Sequence, residues 1–318
     1  MAPALQLRRA PASATTEAHA PPQETWLVCD RREAVAARAS LWWHETARLD
    51  GRRCGYIGGY RAGSRSAARA LLRHACDRLR EAGCAIAVGP IDGSTWHGYR
   101  LVTGGTKRPA FFLEPRNPAA WVVDMTDAGF SPVATYHSRL TTRLTYEDPA
   151  LAGLERRLAR AGVGLRRLDP ARPREELRDI YRLAHACFSD HLLYTRIPER
   201  SFEATYLALA RSGDHRHVVL AERGRRLVGF AFAVPDRAQA ERGAPIDTLI
   251  LKTMAVAPGR RFAGLGRLLF HEINREARTC GFRAVIHALM HDANASAAYS
   301  RRFAEVIRRY ALFAKALA

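Results

Sequence analysis

Apolar residues at Ala70, Leu71, Leu72, Ala75, Cys76 and Leu79 recur at helical spacing and predict a helix over 67–82. Ser64-Arg65-Ser66 supplies its start and Gly83 its stop. The apolar run 85–88 then reads as a short buried strand. Upstream, 35–60 is two β-rich runs around Asp50-Gly51, a hairpin signal. The same order recurs later. Runs 217–221 and 227–234 flank a turn at Arg223-Gly224, and 246–257 is a long strand. A helix over 264–279 turns Leu265, Leu268, Leu269 and Ile273 inward, Gly281 stops it, and 283–290 is the next strand. Two amphipathic helices, 174–189 and 202–211, precede that second set. Their connector, 191–198, is too apolar for a solvated loop, so it either packs on the core or lines a ligand site. Segment 236–245 reads as an exposed excursion. In the first half, 109–114 and 130–140 are strand-like and 117–128 is helical. Element order repeats with little identity, and Glu147-Asp148-Pro149 interrupts the pattern. For 318 residues this predicts an α/β (α+β) protein of two domains, 23–147 and 148–318, behind a disordered leader over 1–22.

Composition changes this picture little. Hydrophobic residues make up 47% and charged residues 25%, ordinary for a globular chain. The formal charge of +19, from 50 Lys+Arg against 31 Asp+Glu, raises the question of nucleic acid. Yet neither half holds a block of like charges or a basic stripe interleaved with aromatics. Only Lys107, Lys252 and Lys315 are lysines, so the excess is arginine spread over both halves, and nucleic acid is not the expected partner. No run reaches 18 apolar residues, so no membrane span is expected. The six cysteines (29, 54, 76, 84, 187, 280) form no C-x-x-C pair, which fits a reducing cytoplasm. His215 and His217 have no ligand partner at zinc-like spacing, and no metal is expected.

The chemistry concentrates in Met254-Ala255-Val256-Ala257-Pro258-Gly259-Arg260-Arg261-Phe262-Ala263-Gly264-Leu265-Gly266-Arg267. A strand ends, a glycine-bearing loop follows and a helix opens near Gly264. Free N–H groups and a helix N-terminus make an anion cradle, with Arg260, Arg261 and Arg267 around it. The spacing is neither a Rossmann fingerprint nor a P-loop. Arg261-x-x-Gly264-x-Gly266 resembles the acetyl-CoA signature of the GNAT superfamily of N-acetyltransferases. Further on, Asn294-Ala295-Ser296-Ala297-Ala298-Tyr299 resembles that family's second segment, although Arg302 stands where a glycine usually precedes Phe303. The resemblance runs from about residue 164 to 318.

Several expectations follow from the resemblance. Each half would be a GNAT-like domain, a mixed, mostly antiparallel sheet flanked by helices. Acetyl-CoA would be co-substrate, held by Met254, Ala255, Val256, the loop 260–267 and Asn294. Tyr299 would protonate the departing thiolate, its ordinary pKa near 10 suiting that task. The base stays open among Asp247, His287 and His291. A small-molecule amine is the expected acceptor. A longer acyl thioester as donor, or a CoA-binding scaffold without catalysis, are the rivals. Exposed sheet edges leave a homodimer open.

The first half resembles the degenerate repeat of tandem GNAT proteins. Where the loop should be stands Tyr60-Arg61-Ala62-Gly63-Ser64-Arg65-Ser66, so no productive CoA site is expected there. The run 89–100, rich in polar and aromatic residues, follows a strand end. It is either an ordered loop anchored by Trp96 and Tyr99 or part of the second domain's acceptor cleft.

Overall fold

The computed structural model describes residues 5–11, 21–146, 148–211 and 213–317. In the first half, β1 (Gln6–Arg9), β2 (Glu24–Cys29), β3 (Val35–Trp42), β4 (Arg48–Leu49) and β5 (Arg52–Ala62) lead into α1 (Arg65–Glu81). Asp50 and Gly51, with φ of 50° and 74°, make the tight turn of the β4–β5 hairpin. Then come β6 (Ile86–Gly89), β7 (Leu101–Gly104), α2 (Ala120–Asp127) and β8 (Ser131–Thr141). The second half begins with α3 (Leu151–Arg160), β9 (Val163–Arg167), α4 (Pro173–Phe188), α5 (Glu199–Arg211), β10 (Val218–Arg223) and β11 (Arg226–Pro235). It ends with α6 (Arg237–Glu241), β12 (Thr248–Val256), α7 (Leu265–Thr279), β13 (Ala284–His291), α8 (Ala295–Ser300) and β14 (Glu305–Ala316).

One sheet runs through the molecule in the order β1-β2-β3-β5-β6-β14-β8-β13-β12-β11-β10-β9, with β7 beside β14. Among the described residues only β5–β6 and β12–β13 pair in parallel. The two halves interleave at the centre. The last strand of the chain, β14, lies between β6 and β8 of the first half, and β8 pairs with β13 of the second. A buried ion pair ties the exchange together. Arg308 on β14 donates from Nε to Glu114 Oε1 at 2.8 Å, and the same oxygen accepts from Tyr310 Oη at 2.5 Å. Such a pair survives burial only when its remaining polar atoms are bonded. Here the other guanidinium nitrogens donate to the carbonyls of Gly105, Arg108 and Pro109.

Segment 109–114 is thus a loop and not a strand: it buries Phe111 and delivers Glu114 to β14. The leader also departs from expectation. Residues 6–9 pair with β2, from Gln6↔Cys29 to Arg9↔Trp26, although all four side chains are exposed. Backbone bonding holds them, which no apolar alternation could announce. Residues 1–4 and 12–20 of the expected leader lie outside the described residues, as does Glu147 at the expected junction. No helix among the described residues is long and apolar enough to cross a membrane.

Candidate active site

Parallel pairing of β12 with β13 runs from Thr248↔Ala284 to Leu251↔His287 and then stops. Two irregularities part the strands. On β12, Lys252 is an extra residue between the pairs Leu251↔Ala233 and Thr253↔Phe232. On β13 the register against β8 shifts between His287 and Met290, with Leu289 at φ 57°. Met254, Ala255 and Val256 stay paired to β11, so their other edge faces an open wedge.

α7 begins at the end of this wedge. Its N-cap, Gly264, sits at φ 81° and no side chain caps the helix. Arg267 N donates to Gly264 O at 2.9 Å, which leaves the Leu265 and Gly266 N–H groups without an intrahelical acceptor at the positive end of the helix dipole, roughly half a charge. The backbone favours glycine at 264, since a Cβ at that φ is strained; it would also lie 2.6 Å from Leu154 Cδ1, the end of a side chain that would have to shift. At Gly266 a Cβ would make ordinary contacts with Met254 Cε at 3.6 Å and Val256 Cγ2 at 3.9 Å. Phe262 and Leu265 are buried and anchor the loop, while Ala263 is exposed. Arg260 and Arg261 are exposed and have no ion pair among the described residues. Arg267, expected in the cradle, is instead bound to Asp148, with Nε 3.1 Å from Oδ2. Helix α3, absent from the sequence reading, flanks the loop, and Arg157 donates to the carbonyls of Arg261 and Ala263.

The first half contains the corresponding wedge, closed. Ile91 N donates to Ile57 O at 2.9 Å and Gly59 N to Asp92 Oδ1 at 2.6 Å, so the chain itself fills the space beyond β5. A Cβ on Gly58 would lie 2.3 Å from Ile91 O. The N-terminus of α1 is also satisfied, because Ser64 Oγ accepts from Ala67 N at 3.3 Å.

The open wedge leads into a cavity of about 480 Å³. Its walls come from both halves: Trp96, Tyr99, Arg100 and Tyr136 from the first, and α4, α5, β12 and β13 from the second. Trp96 donates from Nε1 to Thr195 O at 3.0 Å, and its ring meets Tyr194 and Phe202 edge-on. The 191–198 connector does both things expected of it as alternatives: Leu193 is buried, while Leu192 and Tyr194 line the cavity.

The candidate acid and bases separate clearly. Asp247 precedes β12 at the end away from the cavity, its carboxylate held by Gln239 Nε2 at 2.7 Å and Thr248 Oγ1 at 2.9 Å. Those bonds keep it below the usual carboxylate range, and it is not among the cavity-lining residues. His287 lines the cavity but is fully buried. Its Nδ1 is 2.7 Å from Ser300 Oγ, Nε2 has no partner, and burial pushes its pKa down to about 3. That is too low for a base near neutrality. His291 and Asn294 lie on the cavity wall. His291 Nδ1 accepts from Ala293 N at 3.1 Å, and the Asn294 side chain, at the N-cap of α8, makes no capping bond. Tyr299 is not part of the wall. It packs against α7 with its hydroxyl 2.6 Å from His271 Nε2, and burial pushes its pKa up to about 12 rather than the ordinary 10.

Two cavity cations carried no role in the sequence reading: Lys252, in an otherwise apolar strand, and Arg100, at the end of the 89–100 run. The signal for Lys252 was present, a charge inside Leu249-Ile250-Leu251-Lys252-Thr253-Met254. Tertiary structure also gathers His217, Glu276 and Cys280, whose ligand atoms lie within 4.8 Å of one another. Arg167 already pairs with that carboxylate at 2.7 Å.

Comparison with known proteins agrees with this geometry. Residues 175–304 match the model of the acetyltransferase (GNAT) family. No curated protein matches the sequence. Among solved structures, a GCN5-related N-acetyltransferase from Sphaerobacter thermophilus is similar at 15% identity and TM-score 0.53, covering 95% of this chain and 83% of that one. A tandem GNAT protein of the clavulanic acid biosynthesis pathway is similar at 13% identity and TM-score 0.51, covering 94% and 85%. The glucosamine N-acetyltransferase region of a fungal multi-domain β-N-acetylglucosaminidase reaches TM-score 0.55 at 13% identity. That match covers 92% of this chain and 33% of the longer protein.

Proposed function

We propose, from the match of residues 175–304 to the acetyltransferase (GNAT) family model, that this protein transfers an acetyl group from acetyl-CoA to the amine of a small acceptor. One observation carries the reading: an uncapped helix N-terminus beside an unpaired strand edge in the second half, where the first half caps the helix and fills the wedge.

The residues divide the work by position. The first-turn N–H groups of α7, with Arg260 and Arg261, would hold a pyrophosphate. Apart from Val256 O, which accepts from Cys187 Sγ at 3.3 Å, the edge of Met254–Val256 offers main-chain donors and acceptors to an extended, amide-bearing arm, as an added strand would use them. Bound acetyl-CoA supplies the activated thioester. The same edge offers N–H donors to charge developing on an acyl oxygen, away from bulk water. His291, whose Nδ1 lone pair accepts from Ala293 N, carries its proton on Nε2 when neutral, so Nε2 is a donor and not the base, and the proton of the attacking amine goes to water. Tyr299 keeps its proton at neutral pH, but its hydroxyl is held by His271 outside the cavity wall, so the thiolate leaves as the anion and takes its proton from water.

Acetyl-CoA is expected to raise the melting temperature of the protein, and Arg260→Glu with Arg261→Glu to abolish that rise while leaving the unliganded melting temperature unchanged. Thiol release on addition of amines would accompany binding. A folded wild-type protein that shows no shift at millimolar acetyl-CoA overturns the proposal. Binding without thiol release, over a broad amine panel, would instead support a CoA-binding scaffold. The apolar cavity wall favours one variation, a longer acyl donor, which a chain-length series of acyl-CoA thioesters decides.

A further inference from the structure

The cavity behind the wedge holds two cations without counter-charge. Arg100 is 6% exposed, and its guanidinium lies 3.7 Å from the Tyr99 ring centroid and 4.0 Å from that of Tyr136. It donates one hydrogen bond, from Nη1 to Leu289 O at 3.1 Å, and its buried Nε has no partner. Lys252 projects from the β12 bulge into the same cavity and has neither an ion pair nor a hydrogen bond among the described residues. Arg100 and Lys252 are close enough that the guanidinium helps to push the ammonium down, to about 8, burial being the larger cause. Asp190, exposed at the rim, is the one carboxylate among the described lining residues. Around the pair the wall is aromatic, with Trp96, Phe188, Tyr194 and Phe202, and the buried Tyr194 hydroxyl is itself unpartnered.

An unpaired charge facing an apolar cavity is costly, and a buried arginine and a part-buried lysine lining the same cavity more so, unless an anion arrives to share them. The planar fork of an arginine suits a carboxylate, and stacking between two tyrosine rings fixes its plane. We propose that the acceptor is an amino carboxylate with an apolar or aromatic body, its carboxylate seated between Arg100 and Lys252 and its amine directed to the wedge. This rests on the acyl-transfer reading above and names the substrate class of that site. Arg100 comes from the first half of the chain, so the degenerate repeat would contribute specificity to its partner's chemistry.

Binding and turnover test the idea separately. In the binding arm, 3-phenylpropionate should stabilise the wild-type protein at concentrations at least tenfold below those needed for 3-phenylpropanamide. Lys252→Met should reduce that preference at least tenfold, and Arg100→Gln should do the same. Lys252→Met removes a part-buried charge without adding volume, so it is the variant expected to stay folded. In the turnover arm, with saturating acetyl-CoA, phenylalanine should exceed phenylalaninamide and phenethylamine in kcat/KM by at least tenfold, and Lys252→Met should level the three. Equal binding of acid and amide, or a preference unchanged in Lys252→Met, overturns the proposal. So does a phosphate monoester outbinding the carboxylate. If acetyl-CoA neither binds nor is consumed, the acyl-transfer reading fails, while the binding arm still decides whether the cavity takes a carboxylate.

Discussion

A lysine held at a pKa of about 8 and a histidine at about 3 are the clearest marks of the cavity's low polarity. Each fixes the sign of a pH dependence. The lysine is lowered from an ordinary value of about 10.4, so at pH below 8 the folded protein bears the full cost of a part-buried charge. As pH rises from 8 towards 10.4 the folded form sheds its proton first and the cost fades. Lys252→Met should therefore melt higher than wild type at pH 7, with the gap closing by about pH 10 in a melting series. His287 behaves oppositely towards acid. Its unfolded form takes a proton below about pH 6.5 and its folded form does not until about pH 3. Stability should fall over that window by up to about 1.4 kcal/mol per pH unit, and His287→Gln should flatten the decline in urea titrations. The sequence offered His287 as one of three base candidates, from its place on the strand that follows α7. Alternation gives the face but not the solvent access, and the missing access makes it neutral.

Two helices at corresponding places, α1 and α7, show how one residue at a helix start divides binding from stability. Ser64 closes the first turn of α1; Gly264 leaves that of α7 open. Ser64→Ala should cost about 1 kcal/mol of stability without changing the response to acetyl-CoA. That is the reverse of the pattern expected for the Arg260/Arg261 double variant, and paired melts with and without acetyl-CoA distinguish them. Elements of this kind were well legible. The 3.6-residue period, Ser64, Gly83 and Gly281 placed both helices to within a few residues, and Asp50-Gly51 placed the hairpin. Less legible were the elements whose hold is tertiary. β1 is fully exposed and kept by backbone pairing, α3 buries only Leu158 among its residues, and 109–114 has strand-like residues but ends in a buried ion pair. Arg267 was expected in the cradle, yet Asp148, just ahead of α3, binds it.

At the scale of the whole molecule, the two halves are repeats in sequence order but not separate bodies in the sheet. β14 carries Tyr310, Leu312 and Phe313, all essentially buried, into cores shared with the first half. Removing residues 304–318 should therefore unfold more than the second half. It strips β6 and β8 of a shared partner, and the loss of cooperative unfolding by circular dichroism, with aggregation through the bared edges, is the expected outcome. A truncated protein that keeps a cooperative transition and the wild-type melting temperature would refute this view. The interleaving also explains the composite cavity. With β8 seated against β13, the loop carrying Trp96 and Arg100 is brought in, Trp96 packing on His185 and Phe188 of α4 and on Phe202 of α5.

Taken alone, the amino-acid order determined what depends on near neighbours: the periods of helices and strands, the caps and turns, and the glycine loop whose backbone freedom suits an anion. It also showed that one half retains that loop and the other does not. Tertiary structure decided what depends on residues far apart in the chain. It placed β14 in the middle of the sheet, drew Asp247 away from the cavity, turned Tyr299 towards His271, and buried Arg100 beside Lys252. The reason is that charge, solvent access and ionisation are set by everything within a few ångströms. For these groups most of that surrounding comes from strands and loops up to about 190 positions away, as with Arg100 and Leu289.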